Sequence, residues 1–137
     1  MKKLETFNFN GSVLRAQFEE RSKVRTGVIC DVYSHPENSD QDLGIITIQP
    51  GIKTPLQKVL KGEKTIEGYI SGKGVLTITH TNGSVSTFEV SSETKGFSYE
   101  VAIGELMQWQ AAQDSKLEIF EICFPPYQDG RFENLVE

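Results

Sequence analysis

An all-β fold is predicted by three features of this sequence. β-Branched and aromatic residues recur in short runs, the runs are punctuated by Gly, Asn, Asp and Pro at fairly even spacing, and no segment holds a 3.6-residue apolar period. The clearest local signal is the pair Thr77 to His80 and Ser84 to Phe88 around Asn82-Gly83, a dipeptide suited to the positive φ angles of a two-residue hairpin turn.

Taken in order, strands are expected at Val13 to Phe18, Val24 to Tyr33, Leu43 to Gln49, Thr65 to Ile70, the two arms of that hairpin, Phe97 to Ala102 and Leu117 to Phe124. Arg21, Lys23 and Arg25 alternate, so one strand face carries three cations and reads as a solvated edge that discourages aggregation. Positions 34 to 42 are polar and rich in structure breakers, as in an exposed loop, and His35 and His80 are read as exposed loop and turn residues. The best helical candidate is a turn or two at Leu56 to Lys61. Pro125-Pro126 stops further ladder pairing after the last long strand.

With 137 residues the chain reads as one domain, 1–137, divided into N-terminal strands and loop (1–42), a barrel core (43–126) and a tail (127–137). A net charge of -5 with scattered Lys and Arg argues against a nucleic-acid partner. No run approaches the roughly 18 apolar residues of a membrane span, and Asn8, Asn10 and Ser12 interrupt any secretory apolar core, so a soluble cytoplasmic protein without membrane contact is expected. Cys30 and Cys123 are far apart, each within an apolar run, and read as reduced, buried thiols.

The segment Pro50-Gly51 through Gly74, with Pro55 and the turn Gly72-Lys73-Gly74, resembles the first motif of the cupin superfamily, and the order of elements from Leu43 onward is similar to that of a small single-domain cupin. The resemblance implies a jelly-roll β-barrel with a cavity at one end, here carrying an N-terminal strand extension. Cupins usually hold a metal with three His and one Glu. Counting from Gly72 or from Pro55 places Gln57, Val59, Lys61 and Thr65 at the ligand positions, and Met107-Gln108-Trp109-Gln110 where the second motif has a His. No metal and no cofactor are therefore expected.

What stands in place of those ligands is polar. Alternation on the strand 65–71 puts Thr65, Glu67, Tyr69 and Ser71 on one face, which the resemblance turns into the barrel. The ligand-binding set is Gln57, Glu67, Tyr69, Gln108, Trp109 and Gln110, and Glu121, set between Phe120 and Ile122, joins Glu67 and Tyr69 as a candidate catalytic group. A carboxyl buried among apolar residues has a raised pKa and suits acid or base chemistry. Each has a plainer reading: Glu67 as a surface residue, Glu121 as a paired carboxylate, Trp109 as core or interface. In the tail, Tyr127, Arg131 and Phe132 read as lid or dimer-contact residues, with Arg131 a clamp for a carboxylate ligand.

Three functions compete. The first is a metal-independent cupin-like protein that binds a small polar ligand, a sugar derivative or organic acid. The second is a metal-free isomerase or epimerase using Glu67 or Glu121 as base, and the third an oligomeric barrel without activity. A homodimer is expected from the apolar edge strands and the habit of the resembling family.

Overall fold

The computed structural model describes all residues except Met1, Lys2, Asn10, 37–39, Glu63, 125–130 and Glu137. Two antiparallel sheets curl against each other as a jelly-roll barrel. The larger has seven strands in the order β1-β2-β3-β4-β11-β6-β9, and the smaller has five in the order β12-β5-β10-β7-β8. In chain order the strands are β1 (Leu4–Phe9), β2 (Ser12–Arg25), β3 (Val28–Ser34), β4 (Asp42–Ile48), β5 (Gln57–Val59), β6 (Lys64–Gly72), β7 (Gly74–Thr79), β8 (Val85–Val90), β9 (Ser98–Val101), β10 (Leu106–Ala111), β11 (Leu117–Phe124) and β12 (Phe132–Asn134). A 3₁₀ turn at Ser92–Thr94, capped by Ser91, joins β8 to β9. No helix among the described residues is long and apolar enough to cross a membrane.

The large sheet is apolar on both faces, which gives the protein two cores. Its inner face meets the small sheet through Ile48, Leu76, Ile78, Leu117 and Ile119, all fully buried. Each such side chain contributes about 1.5–3 kcal/mol on burial. Its outer face carries Leu43, Phe120 and Ile122, covered by Ala16 and by Phe7 and Phe9 of the N-terminal hairpin. Phe9 stacks on Phe120 with ring centres 4.1 Å apart. Gly68 lies beneath that same Phe120 ring, where a Cβ would overlap it.

Several local expectations change. The expected strand at Val24 to Tyr33 is broken by a reversal at Thr26-Gly27, so the chain up to Arg25 belongs to β2, which pairs antiparallel with β3. In place of a helical turn near Leu56, β5 is drawn into the small sheet by pairing with β10 and β12. The hairpin around Asn82-Gly83 closes through a three-residue loop: His80 N–H donates to Ser84 O, Asn82 Oδ1 accepts from Ser84 N–H, and Gly83 takes φ +89°. Beyond Gln17, β3 is the only ladder partner of β2 among the described residues, so Arg21 to Arg25 lie on an edge strand, with Arg21 paired to Asp31 at 2.7 Å.

A bulge in β6 sets the polar floor of the barrel. Glu118 faces Ser71 but Ile119 faces Tyr69, leaving Ile70 as the extra residue. Thr65, Glu67 and Tyr69 consequently face inward, whereas Ser71 bonds Glu118 on the other side. Simple alternation had placed all four on one face.

Gly68→Ala is expected to cost about 1–3 kcal/mol in urea unfolding through overpacking, and less in a Phe120→Leu background. Strictly additive costs would contradict the contact.

Candidate functional site

The seven-stranded sheet presents its inward residues in transverse rows. One row runs Cys30, Ile46, Ile119, Tyr69 and is almost wholly apolar. The next runs Val32, Gly44, Glu121, Glu67, Tyr99, placing two carboxyls directly opposite each other on β11 and β6. Opposing residues in an antiparallel pair have their Cβ atoms about 4.5–5.5 Å apart, so these acids interact before any ligand arrives. Gly44, beside Glu121, contributes no side chain, and the space above the row stays open.

A cavity of about 650 Å³ fills that space. The two sheets close against each other where Phe88 meets Phe97 and Tyr99. On the opposite side, β2, β3 and β4 face β5, β10 and β12 across the cavity. Its apolar walls include Val28, Met107, Trp109 and Phe132, and its polar lining includes Glu19, Ser34, Asp42, Gln57, Gln108 and the two glutamates.

Glu67 lies at the floor with 1% of its surface exposed. Its Oε1 accepts a 2.8 Å hydrogen bond from the indole N–H of Trp109, and its carboxyl hydrogen-bonds the facing Glu121. Burial, then the charge of Glu121 and the hydrogen bond to it, pushes the Glu67 carboxyl well above its ordinary range; the indole bond opposes this only in part. Glu121 is also raised, by burial and by Asp42, but Glu67, Arg131 and Cys123 pull it back. The two acids therefore titrate as a pair, with Glu67 the neutral partner and Glu121 the first to ionise. Among the surrounding groups, burial and the acids raise Cys30 to about 12 and push Cys123 up as well, so neither thiol is a nucleophile at neutral pH.

Of the residues picked from sequence, Gln57, Glu67, Gln108, Trp109 and Glu121 all line this cavity. Gln57 donates to Asn134 at 3.0 Å and Gln108 to the carbonyl of Thr54 at 2.9 Å, which fixes both amides at the β5 and β10 side. Tyr69 and Gln110 do not line it. Tyr69 is core, its hydroxyl donating to Gly72 O at 2.8 Å, and Gln110 sits on the alternate face of β10 from Trp109. Arg131 is no ligand clamp: 3% exposed, it donates to Lys64 O and Thr65 Oγ1 and ties the tail to β6. Phe132 reaches the cavity wall from β12, while Tyr127 lies outside the described residues. Glu19 and Asp42 were not anticipated; the strand pairing brings them to one place.

Neither histidine is simply exposed. His35 is buried with Nδ1 3.1 Å from Arg15 O. His80 stands at the closed end of the barrel, its Nδ1 2.6 Å from Glu105 and its Nε2 2.7 Å from Ser86 Oγ. Glu105 also accepts from Ala102 N–H at 2.8 Å and from the Tyr99 hydroxyl. Burial alone would raise the Glu105 carboxyl, but the bonds from Ala102, His80 and Tyr99 outweigh it and hold the group below its ordinary value.

No protein-family model and no curated protein sequence matches this chain. Solved structures do match. Oxalate decarboxylase of Bacillus subtilis, described with Mn(II) centres, superposes with a TM-score of 0.69 at 18% identity over 85% of this chain and 30% of its own. CapF, solved with the inhibitor 3-isopropenyl-tropolone, gives 0.66 at 14% over 86% and 34%. The 7S globulin of Momordica charantia gives 0.65 at 10% over 85% and 35%. The fold is thus that of the cupins, and this chain spans about a third of each of these proteins.

The residues present do not fit a cupin metal centre. The cavity lining contains no imidazole, since both histidines are engaged elsewhere, and its most buried acid has a raised pKa and spends one oxygen on an indole. No group of three or more His, Cys, Asp or Glu among the described residues is arranged to hold a metal ion. Soft or borderline metals favour neutral imidazoles and ionised acids, the reverse of this set.

Two stability measurements test these assignments. Glu67 has a raised pKa in the fold, so between the ordinary and the raised value the native state keeps a proton the unfolded chain has lost. Stability then falls with rising pH, by up to ~1.4 kcal/mol per unit for one proton. Glu67→Gln keeps the bond to Trp109 and removes that slope; an unchanged slope contradicts the assignment. Glu105 has a lowered pKa, so its contribution is present above the ordinary value and disappears as pH falls through the lowered one. Glu105→Gln is expected to cost about 1.5–3 kcal/mol at neutral pH and little in acid, whereas an equal cost at both contradicts it.

Proposed function

We propose that the protein binds a small polar molecule in the barrel cavity without a metal. The observation that carries this reading is the open cavity of about 650 Å³ above the facing, buried carboxyls of Glu67 and Glu121. Burying an ionised acid costs several kcal/mol, and a polar ligand that hydrogen-bonds the pair offsets part of that cost. The volume lies within the roughly 300–1,000 Å³ of small-molecule sites. A barrel kept only as an oligomerisation scaffold would gain by filling the space with apolar side chains, and Gly44, Met107 and Val32 leave it unfilled. The homodimeric state and cytoplasmic location expected from the sequence belong to the same proposal.

The paired acids favour a second reading, a metal-free isomerase. Glu67 would donate a proton and Glu121 would accept one at neighbouring atoms on the same face of a bound keto or enol group.

Trp109 is the single tryptophan of the chain and its indole lines the cavity, so its fluorescence reports on occupancy. Titration with a panel of small polyols, carboxylic acids and amines is expected to give a saturable change for at least one compound. Val32→Phe, which adds bulk to the cavity lining, should weaken that binding about tenfold or more, equivalent to about 1.4 kcal/mol. A panel without any saturable change, or a change that persists in Val32→Phe, contradicts the proposal. For the isomerase reading, Glu67→Gln should abolish turnover of a bound compound.

A further inference from the structure

We propose that Ser86, His80 and Glu105 form a hydrolytic triad, separate from the cavity, that cleaves small carboxylic esters through an acyl-Ser86 intermediate.

The three side chains come from three places in the chain: Ser86 from β8, His80 from the end of the β7–β8 hairpin, Glu105 from the turn before β10. Folding sets them in a line. His80 Nε2 stands 2.7 Å from Ser86 Oγ and His80 Nδ1 stands 2.6 Å from Glu105 Oε2, so the ring has a hydroxyl on one side and a carboxylate on the other. An activated serine is recognised by this arrangement of hydrogen bonds and roles, whatever the chain order or fold.

The carboxylate fixes where the protons sit. Glu105 is 7% exposed and already accepts from Ala102 N–H and from the Tyr99 hydroxyl. Held below its ordinary pKa, it can only accept, so His80 Nδ1 carries the hydrogen of the 2.6 Å bond. In the neutral ring Nε2 is then a bare acceptor, and the Ser86 hydroxyl donates to it. That polarity is the one a nucleophilic hydroxyl requires of its base.

Reach is the second condition. His80 keeps 28% of its side-chain surface exposed and Ser86 is half-buried, whereas Glu105 is shielded behind them. None of the three lines the large cavity; they stand outside it at the closed end of the barrel. The bond from His80 N–H to Ser84 O makes 80 and 84 a bonded pair, so by alternation Ser86 bonds Ile78 of β7 and the Thr87 N–H turns to the other side of β8. On that side β8 has no ladder partner among the described residues. The Thr87 N–H, one residue beyond the nucleophile, is thus available to a carbonyl oxygen as it becomes an oxyanion. Ile103, 51% exposed and two residues before Glu105, offers apolar surface to a short acyl chain.

The reaction balances in two halves. The Ser86 oxygen bonds the ester carbonyl carbon while its proton passes to His80 Nε2. The carbonyl π pair moves to oxygen and returns as the bond to the alkoxy group breaks, and the alcohol leaves with the proton from Nε2. Water then bonds the acyl carbon, its proton passing through Nε2 to the departing Ser86 oxygen as the acid is released. One ester and one water give one acid and one alcohol, and nothing is oxidised or reduced.

The test mixes the full chain with p-nitrophenyl acetate and locates the acylated residue by mass spectrometry. An acetyl group on Ser86 with release of p-nitrophenol is expected. His80→Gln should slow acylation about a hundredfold or more and Ser86→Ala should abolish it, while Ser84→Ala in the exposed turn should leave it unchanged. Glu105 acts through His80 and is a positioning residue. ¹⁵N-histidine NMR at alkaline pH is therefore expected to place the His80 proton on Nδ1, and Glu105→Gln to lose that tautomer and lower kcat with little change in KM. Acetylation of lysines or tyrosines only, no acetylation, an unchanged rate in a folded His80→Gln chain, or a proton on Nε2 of the unsubstituted protein overturns the triad. The site of acylation and the tautomer are both read without any substitution, so they decide even where a variant fails to fold.

Discussion

The facing of Glu67 and Glu121 across two adjacent strands is the constraint on which the interior depends. Two carboxyls opposite each other in a low-dielectric sandwich cannot both ionise, and burying even one ionised acid costs several kcal/mol. The fold lowers that cost by shifting Glu67 toward its protonated form, giving it the Trp109 indole, and surrounding Glu121 with Cys123 and the more distant Arg131. Apolar residues of similar size in these two positions would give a more stable barrel. Their retention beside an open cavity, with Gly44 supplying no side chain above them, is the physical basis for reading this face as functional.

The two ends of the barrel solve the same polar problem differently. At the closed end, Glu105 is satisfied by a backbone amide, a histidine and a tyrosine hydroxyl, and the network through His80 and Ser86 is complete within the protein. At the open side, Glu67 and Glu121 hydrogen-bond each other at the edge of an open cavity. A network satisfied within the protein rigidifies, and one that borders open space is within reach of a ligand. Among the described residues neither end gathers imidazoles or other donors around a metal position.

Much of this was legible in the sequence, for identifiable reasons. The strand period and the glycine turns define an all-β barrel, and Gly72 and Gly74 are explained by neighbouring backbone, Lys116 O and Gln110 O, that would collide with a Cβ. Glu67, Glu121, Gln57, Gln108 and Trp109 stood out because polar or amphipathic residues interrupt apolar strands. The misplaced residues share a cause. Ser71 and Ile70 depend on a bulge invisible to alternation, β5 is a strand only because β10 and β12 flank it, and the coupling of Glu67 to Glu121 is a matter of register between segments some fifty residues apart. Arg131 looked like a ligand clamp because an arginine beside aromatics fits that role; in the fold its donors meet backbone carbonyls first.

The central claim is that the glutamate pair keeps a shared proton above the ordinary carboxyl range. The most direct measurement is an NMR titration of side-chain carboxyl carbons in protein labelled with ¹³Cδ-glutamate, with Glu67→Gln and Glu121→Gln used for assignment. The account predicts that one signal stays at the protonated shift well past the ordinary carboxyl range, that the two signals move together, and that removing either acid lowers the midpoint of the other. Two independent midpoints in the ordinary range would contradict it.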